Sequence, residues 1–205
     1  MKSLSEIETV SKRSSKAAGF SWGVAEEIGK NIRILEMFGL SGIKNLNYYF
    51  RIRSKKNFEK LNLVSNENKT TKLEFCPIIS GLNFLDQVKS LETLEEIKFE
   101  KIAFPLLFLP FISRASEVIG KKLELKIDNR IFLLNYNNSI YSNSLNEGIV
   151  EIGNNISIKF LENKDSFEVN EWKELYKLSE NTFVEESDSL KQAGAGAGAG
   201  LTDND

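Results

Sequence analysis

Residues 97–120 read IKFEKIAFPLLFLPFISRASEVIG, and the fold turns on them. Residues 97–104 alternate apolar and charged side chains (Ile97, Phe99, Lys101), the period of a strand with one face buried. At Pro105 the pattern changes. Proline suits the first position of a helix, where its missing N–H is not needed. Pro110 then kinks that helix or restarts it. Phe111, Ile112, Ala115, Val118 and Ile119 give one helical face, and Gly120 ends it. The apolar run over residues 102–112 is 11 residues long with two prolines, short of the ~20 that cross a membrane. It reads as a buried helix, the spine of a core.

Downstream, residues 123–127, 131–136, 149–152 and 156–161 carry strand patterns. Asp128-Asn129, Asn137-Asn138, Glu147-Gly148 and Gly153-Asn154-Asn155 separate them as turns, which predicts antiparallel hairpins. A helix follows over residues 171–179, with Trp172, Leu175, Tyr176 and Leu178. Upstream, Leu82, Leu85 and Val88 predict a short helix after Gly81, and Leu73-Glu74-Phe75 a strand ending at Cys76-Pro77. Residues 54–71 are rich in Lys and Asn and read as an exposed linker with one short strand near residues 61–64.

Three helices open the chain. Ser3 and Glu6 form a capping box, with Leu4, Ile7 and Val10 as the apolar face and Gly19 as the stop. Ser21 caps the second, whose stripe is Ala25, Ile28, Ile32 and Leu35. Ser41 starts the third, with Ile43, Leu46, Tyr49 and Phe50 inward. The expected fold is α+β: an N-terminal three-helix unit packed beside a mainly antiparallel β-sheet with one buried, Pro-kinked helix. The expected divisions are residues 1–60 (helical), 61–182 (α+β core) and 183–205 (an acidic, Gly/Ala-rich tail).

The 205 residues include no histidine and one cysteine. That excludes Ser-His-Asp and Cys-His catalysis, an HExxH zinc site, an internal disulfide and a CxxC motif within this chain. The formal net charge of -2 hides a split: residues 1–60 carry +6, residues 61–160 carry -1 and residues 161–205 carry -7. Ends of opposite sign favour docking, within the chain or between copies. The near-neutral total disfavours a nucleic-acid partner. No apolar run follows the basic start, so the expected setting is cytoplasmic and not membrane-bound.

Several blocks resemble an uncharacterised bacterial family, domain of unknown function 3726. They are residues 17–29 (AAGFSWGVAEEIG), Cys76-Pro77 with Gly81 and Asp86, residues 105–111 (PLLFLPF) and residues 195–205 (AGAGAGLTDND). The Ala-Gly run here is longer than the family pattern. The resemblance implies no activity and brings no catalytic residue.

Four of the 13 glycines lie in residues 194–200. Unshielded N–H groups around Gly196, Gly198 and Gly200 suit an anion. Thr202, Asp203, Asn204 and Asp205 crowd oxygen ligands that suit Mg²⁺ or Ca²⁺, or a cationic partner. Fully extended, residues 193–200 span roughly 26–29 Å at ~3.3–3.6 Å per residue, so the acidic end can reach a site elsewhere. Arg114 is a candidate to hold a carboxylate or phosphate, weighed against an ordinary ion pair. Asp86 is a candidate helix-borne acid. Cys76 reads as buried and structural, and Trp22 and Trp172 as core or interface anchors.

The expected function is an accessory or ligand-binding protein whose acidic C-terminal tail docks into a basic site, in cis or in a homo-oligomer, or onto a protein partner. The first alternative is a small metabolic enzyme using carboxylate, Lys, Tyr or metal chemistry. The second is a helix-turn-helix DNA-binding regulator over residues 10–34, disfavoured by Glu26 and Glu27 at the start of its second helix. No cofactor is assigned.

Overall fold

Serines and glycines place the N-terminal helices where the sequence predicts them. The computed structural model describes residues 2–144 and 149–183. Ser3 Oγ accepts the Glu6 N–H at 3.1 Å and starts α1 (Leu4–Ala17). Ser21 does the same for Val24 at the start of α2 (Trp22–Met37). The third helix, α3 (Gly42–Arg53), starts without a side-chain cap.

The face of α1 differs from expectation. Val10 is 56% exposed, and the buried positions are Ser11 and Ser15. Small residues let two helices approach closely. A Cβ on Gly29 of α2 would lie 2.8 Å from the Glu8 carbonyl and 3.2 Å from the Lys12 Cβ. The α1–α2 contact is thus a tight small-residue seam, edged by Lys12–Glu26 (2.7 Å) and Arg33–Glu8 (3.6 Å) ion pairs.

The sheet has six strands: β1 (Glu67–Asn68), β2 (Glu96–Ala103), β3 (Lys122–Ile127), β4 (Arg130–Asn135), β5 (Ser139–Ser142) and β6 (Ile152–Leu161). Their order is β1-β2-β6-β3-β4-β5. Only the β1–β2 pairing is parallel, so the fold is α+β with a mainly antiparallel sheet. Beside β1, Phe75 bridges to Ile102 and Glu59 bridges to Phe75, which ties the supposed linker to the sheet edge.

Two hairpin expectations are corrected. The strand after β4 is β5, and residues 149–152 form no strand of their own. Gly153-Asn154-Asn155 lies inside β6 and makes no turn. Those turn-type residues serve the strand. A Cβ on Gly153 would meet Ile127 and Pro105 at 3.0 Å, and Asn155 holds φ 56°.

One sheet face buries Ile97, Phe99, Leu123, Leu125, Ile156 and Ile158. The opposite face carries a rung in which Glu96, Lys159 and Glu124 lie side by side across three strands. Over the buried face run a 3₁₀ turn (Pro105–Leu107) and α5 (Leu109–Ile119), with Pro110 restarting the helix. Phe108, Phe111, Ile112 and Ala115 are fully buried, while Val118 is 52% exposed, outside the face assigned to it. Gly120 closes α5 at φ 65°, a conformation open to glycine. Phe104, just before the turn, holds φ 44°, uncommon for an aromatic residue. The chain reverses there while its ring stays buried against Tyr48 and Tyr49.

The helix expected after Gly81 starts earlier. It is α4 (Pro77–Leu91), with Gly81 inside it. Gly81 is not a start signal but a contact. A Cβ there would lie 2.3 Å from the Phe111 ring, so its absence lets α4 close on α5.

Contacts divide the chain into residues 1–163 and 164–205. The described part of the second unit holds α6 (Val169–Ser179), whose first turn carries a Glu168/Glu171 capping box. None of its residues is buried; Trp172 is 55% exposed and is no core anchor within the unit. Trp22 is likewise exposed, with the Lys16 ammonium 5.5 Å from its ring.

Candidate functional site

The turn between α1 and α2, the last turn of α3 and the first turn of α4 enclose a cavity of about 410 Å³. Each wall follows from a local sequence feature. Gly19, at φ 93°, turns the chain sharply enough to bring Phe20 and Ser21 to the rim. Tyr49 and Arg53, four residues apart, lie on one face of α3. Pro77 starts α4 and leaves Cys76 at its N-cap with no side-chain cap bond. The first turn of α4 is therefore uncapped by any side chain, and Ile79 of that turn lines the cavity. Ser21 and Val24, from the first turn of α2, line it as well. Helix N-termini present free N–H groups and a partial positive charge.

Two cations line this space, Arg53 and Lys60, and among the described residues no carboxylate does. Arg53 is held in place: it donates to the Ala18 carbonyl, and its guanidinium lies 4.3 Å from the Phe20 ring centroid. A guanidinium has five N–H donors, so donors remain for a ligand. Lys60 is exposed and makes no ion pair among the described residues. At the floor, the Tyr49 hydroxyl and Cys76 sulfur are 3.2 Å apart, both buried. Burial, and then the neighbouring Cys76, pushes the Tyr49 phenol far above its ordinary 10, so it stays neutral. Cys76 is a buried, free thiol, as the sequence predicts.

A larger cleft, about 960 Å³, lies against the polar face of the sheet. Its charges are of both signs: Lys98 pairs with Glu96 at 3.1 Å and Lys69 with Glu67 at 3.6 Å, and Lys126, Glu100 and Asp128 also line it. Four carboxylates against three lysines give it a slight negative excess, whereas the charged residues described at the α1/α2-to-α4 cavity are cations.

The sequence candidates fall elsewhere. Arg114, on α5, pairs with Glu27 and donates to Asn31 Oδ1 at 3.2 Å. Burial works to raise the Glu27 carboxyl, yet Lys30 and Arg114 together hold it below its ordinary value. Asp86 is exposed on α4, and no hydrogen bond or ion pair joins it to Arg114 among the described residues. Gly196, Gly198, Gly200, Thr202, Asp203, Asn204 and Asp205 lie outside the described residues. Among the described residues no three Cys, Asp or Glu side chains cluster to hold a metal ion.

Sequence reasoning missed Arg53 and Lys60, which it left inside or beside a basic linker. A signal was present. The AAGFSWG and Cys76-Pro77 blocks, quoted separately, meet at this one cavity.

Residues 2–76 match the family profile described as "Protein of unknown function (DUF3726)". The match covers α1 to α3 and ends on Cys76, so it takes in nearly all of the cavity wall. Searches of curated proteins and of solved structures give no match.

Proposed function

We propose that this chain is an accessory binding protein whose N-terminal helical part holds an acidic group between Arg53 and Lys60. One observation carries the reading: a concave site with two cations, two helix first turns at its wall and, among the described residues, no carboxylate. Arg53 is pre-positioned by Ala18 and Phe20, so little ordering is needed when an anion binds. The neutral Tyr49 phenol adds no repulsion.

The acidic stretch of residues 183–205, with five Asp and Glu against one Lys, is the in-chain source of such a group. Supplied in cis or from a second copy, its carboxylates match the cavity's charge. We take its setting, as the sequence leads us to expect, to be a bacterial cytoplasm. No described helix is long and apolar enough to cross a membrane.

The test is a nuclear magnetic resonance titration of the full chain with acetate and with phosphate. The amides of Ser21, Val24, Arg53 and Ile79 should shift together, and the Arg53→Met/Lys60→Met variant should lose the response. Replacing Glu185, Glu186, Asp188, Asp203 and Asp205 by their amides should move the same signals without added anion. An anion response centred elsewhere, or none, refutes the site. An unmoved set after tail neutralisation refutes tail docking.

A further inference from the structure

We infer that the free ligand of the Arg53–Lys60 cavity is a monocarboxylic acid with a compact apolar body, aromatic or branched. This rests on the anion-binding reading above and narrows it. The cations occupy only part of the wall. Phe20, Val24, Phe58 and Ile79 supply apolar surface to the same cavity. At about 410 Å³ it lies in the range of small-organic-molecule sites and is many times the ~30 Å³ of one water.

The floor adds to the argument. Tyr49 and Cys76 satisfy each other, so no unpaired polar atom there asks for a ligand hydroxyl or amide. Ser21 and Asn57 add polar groups to the same wall, so the apolar side chains receive only the part of a ligand that lies away from its charged end. A carboxylate has two oxygens, which match the planar fork of Arg53, and its carbon substituent can lie on Phe58 and Ile79. Because Arg53 stacks on Phe20, its charge sits beside an apolar ring, which is where the polar and apolar ends of such an acid would join.

Isothermal titration calorimetry on the full chain, with phenylacetate, acetate and inorganic phosphate as probes, tests this. Phenylacetate should bind at least tenfold more tightly than acetate, with inorganic phosphate as the reference for charge alone. Ile79→Ser should remove most of the phenylacetate advantage over acetate. Lys60→Met, at an exposed position, should weaken both acids by several-fold while the thermal midpoint stays put. If acetate and phosphate bind but the phenyl group adds nothing, this inference fails and the anion-binding reading stands. If no probe binds, both fail.

Discussion

Replacing Gly81 by alanine should destabilise the protein, although alanine is the better helix former. Gly81 lies inside α4, so propensity alone would stabilise the variant by about 1 kcal/mol. Packing opposes this. The new methyl carbon would lie 2.3 Å and 2.6 Å from two ring carbons of Phe111 and 3.0 Å from its Cβ. Phe111 is fully buried on α5, so its ring has no free volume to swing into. Either α4 moves off α5 or the ring leaves its rotamer. Overpacking of a closed core costs about 1–3 kcal/mol, and these distances place Gly81 at the upper end. The net expectation is a loss of about 2 kcal/mol, or a fall of about 4–8 °C in Tm for a chain of this size. Urea unfolding followed by circular dichroism reads it as a lower midpoint at unchanged slope. Combining Gly81→Ala with Phe111→Leu should cost less than the sum of the two singles, because the two residues share one contact. A Gly81→Ala protein as stable as the parent, or more so, refutes the close α4–α5 approach.

Two further predictions concern buried polar groups. Arg114→Met leaves the half-buried Glu27 with only Lys30 and removes a donor from Asn31, so it should cost about 1–2 kcal/mol near neutral pH. The Glu27 carboxyl is held below its usual 4.5, so this contribution is full above that value and fades as pH falls through the depressed pKa. Urea midpoints of parent and variant should therefore converge in acid, and a constant gap would contradict the pairing. The raised Tyr49 phenol has the opposite sign: its contribution is full below about pH 10 and is lost as pH rises beyond it. In an alkaline titration of phenolate absorbance, Tyr49 should ionise only as the protein unfolds, so Tyr49→Phe should remove one late, cooperative step.

Much of the fold is legible in local signals. Ser3, Ser21, Gly19 and Gly120 mark helix ends because capping is a short-range bond. The change from strand to helix period at Pro105 marks the core. What is not legible depends on distant contacts. Ser11 and Ser15 are buried where α1 packs closely on α2, an approach that Gly29 allows against Glu8 and Lys12, and no pattern within α1 announces that. Gly81 and Gly153 look like punctuation, yet each is small because a residue far along the chain needs the space. The candidate site shares this property. Arg53 and Lys60 read as solvated linker charges until the α1–α2 turn and the start of α4 are brought beside them. Arg114, the basic residue singled out from sequence, ties α5 to α2 through the kind of ion pair weighed for it there.

The strand order has a consequence for synthesis. β6 lies between β2 and β3, although nearly fifty residues of chain separate it from the end of β2. As the chain leaves the ribosome, β2 and the β3–β4–β5 meander each present an unpaired edge until β6 emerges to join them. Neither half can share a continuous core before then, and open edges are templates for association with other chains. The alternating charges along β2 (Glu96, Lys98, Glu100) and β3 (Lys122, Glu124, Lys126) then act as guards for that interval, discouraging wrong partners until the right one arrives.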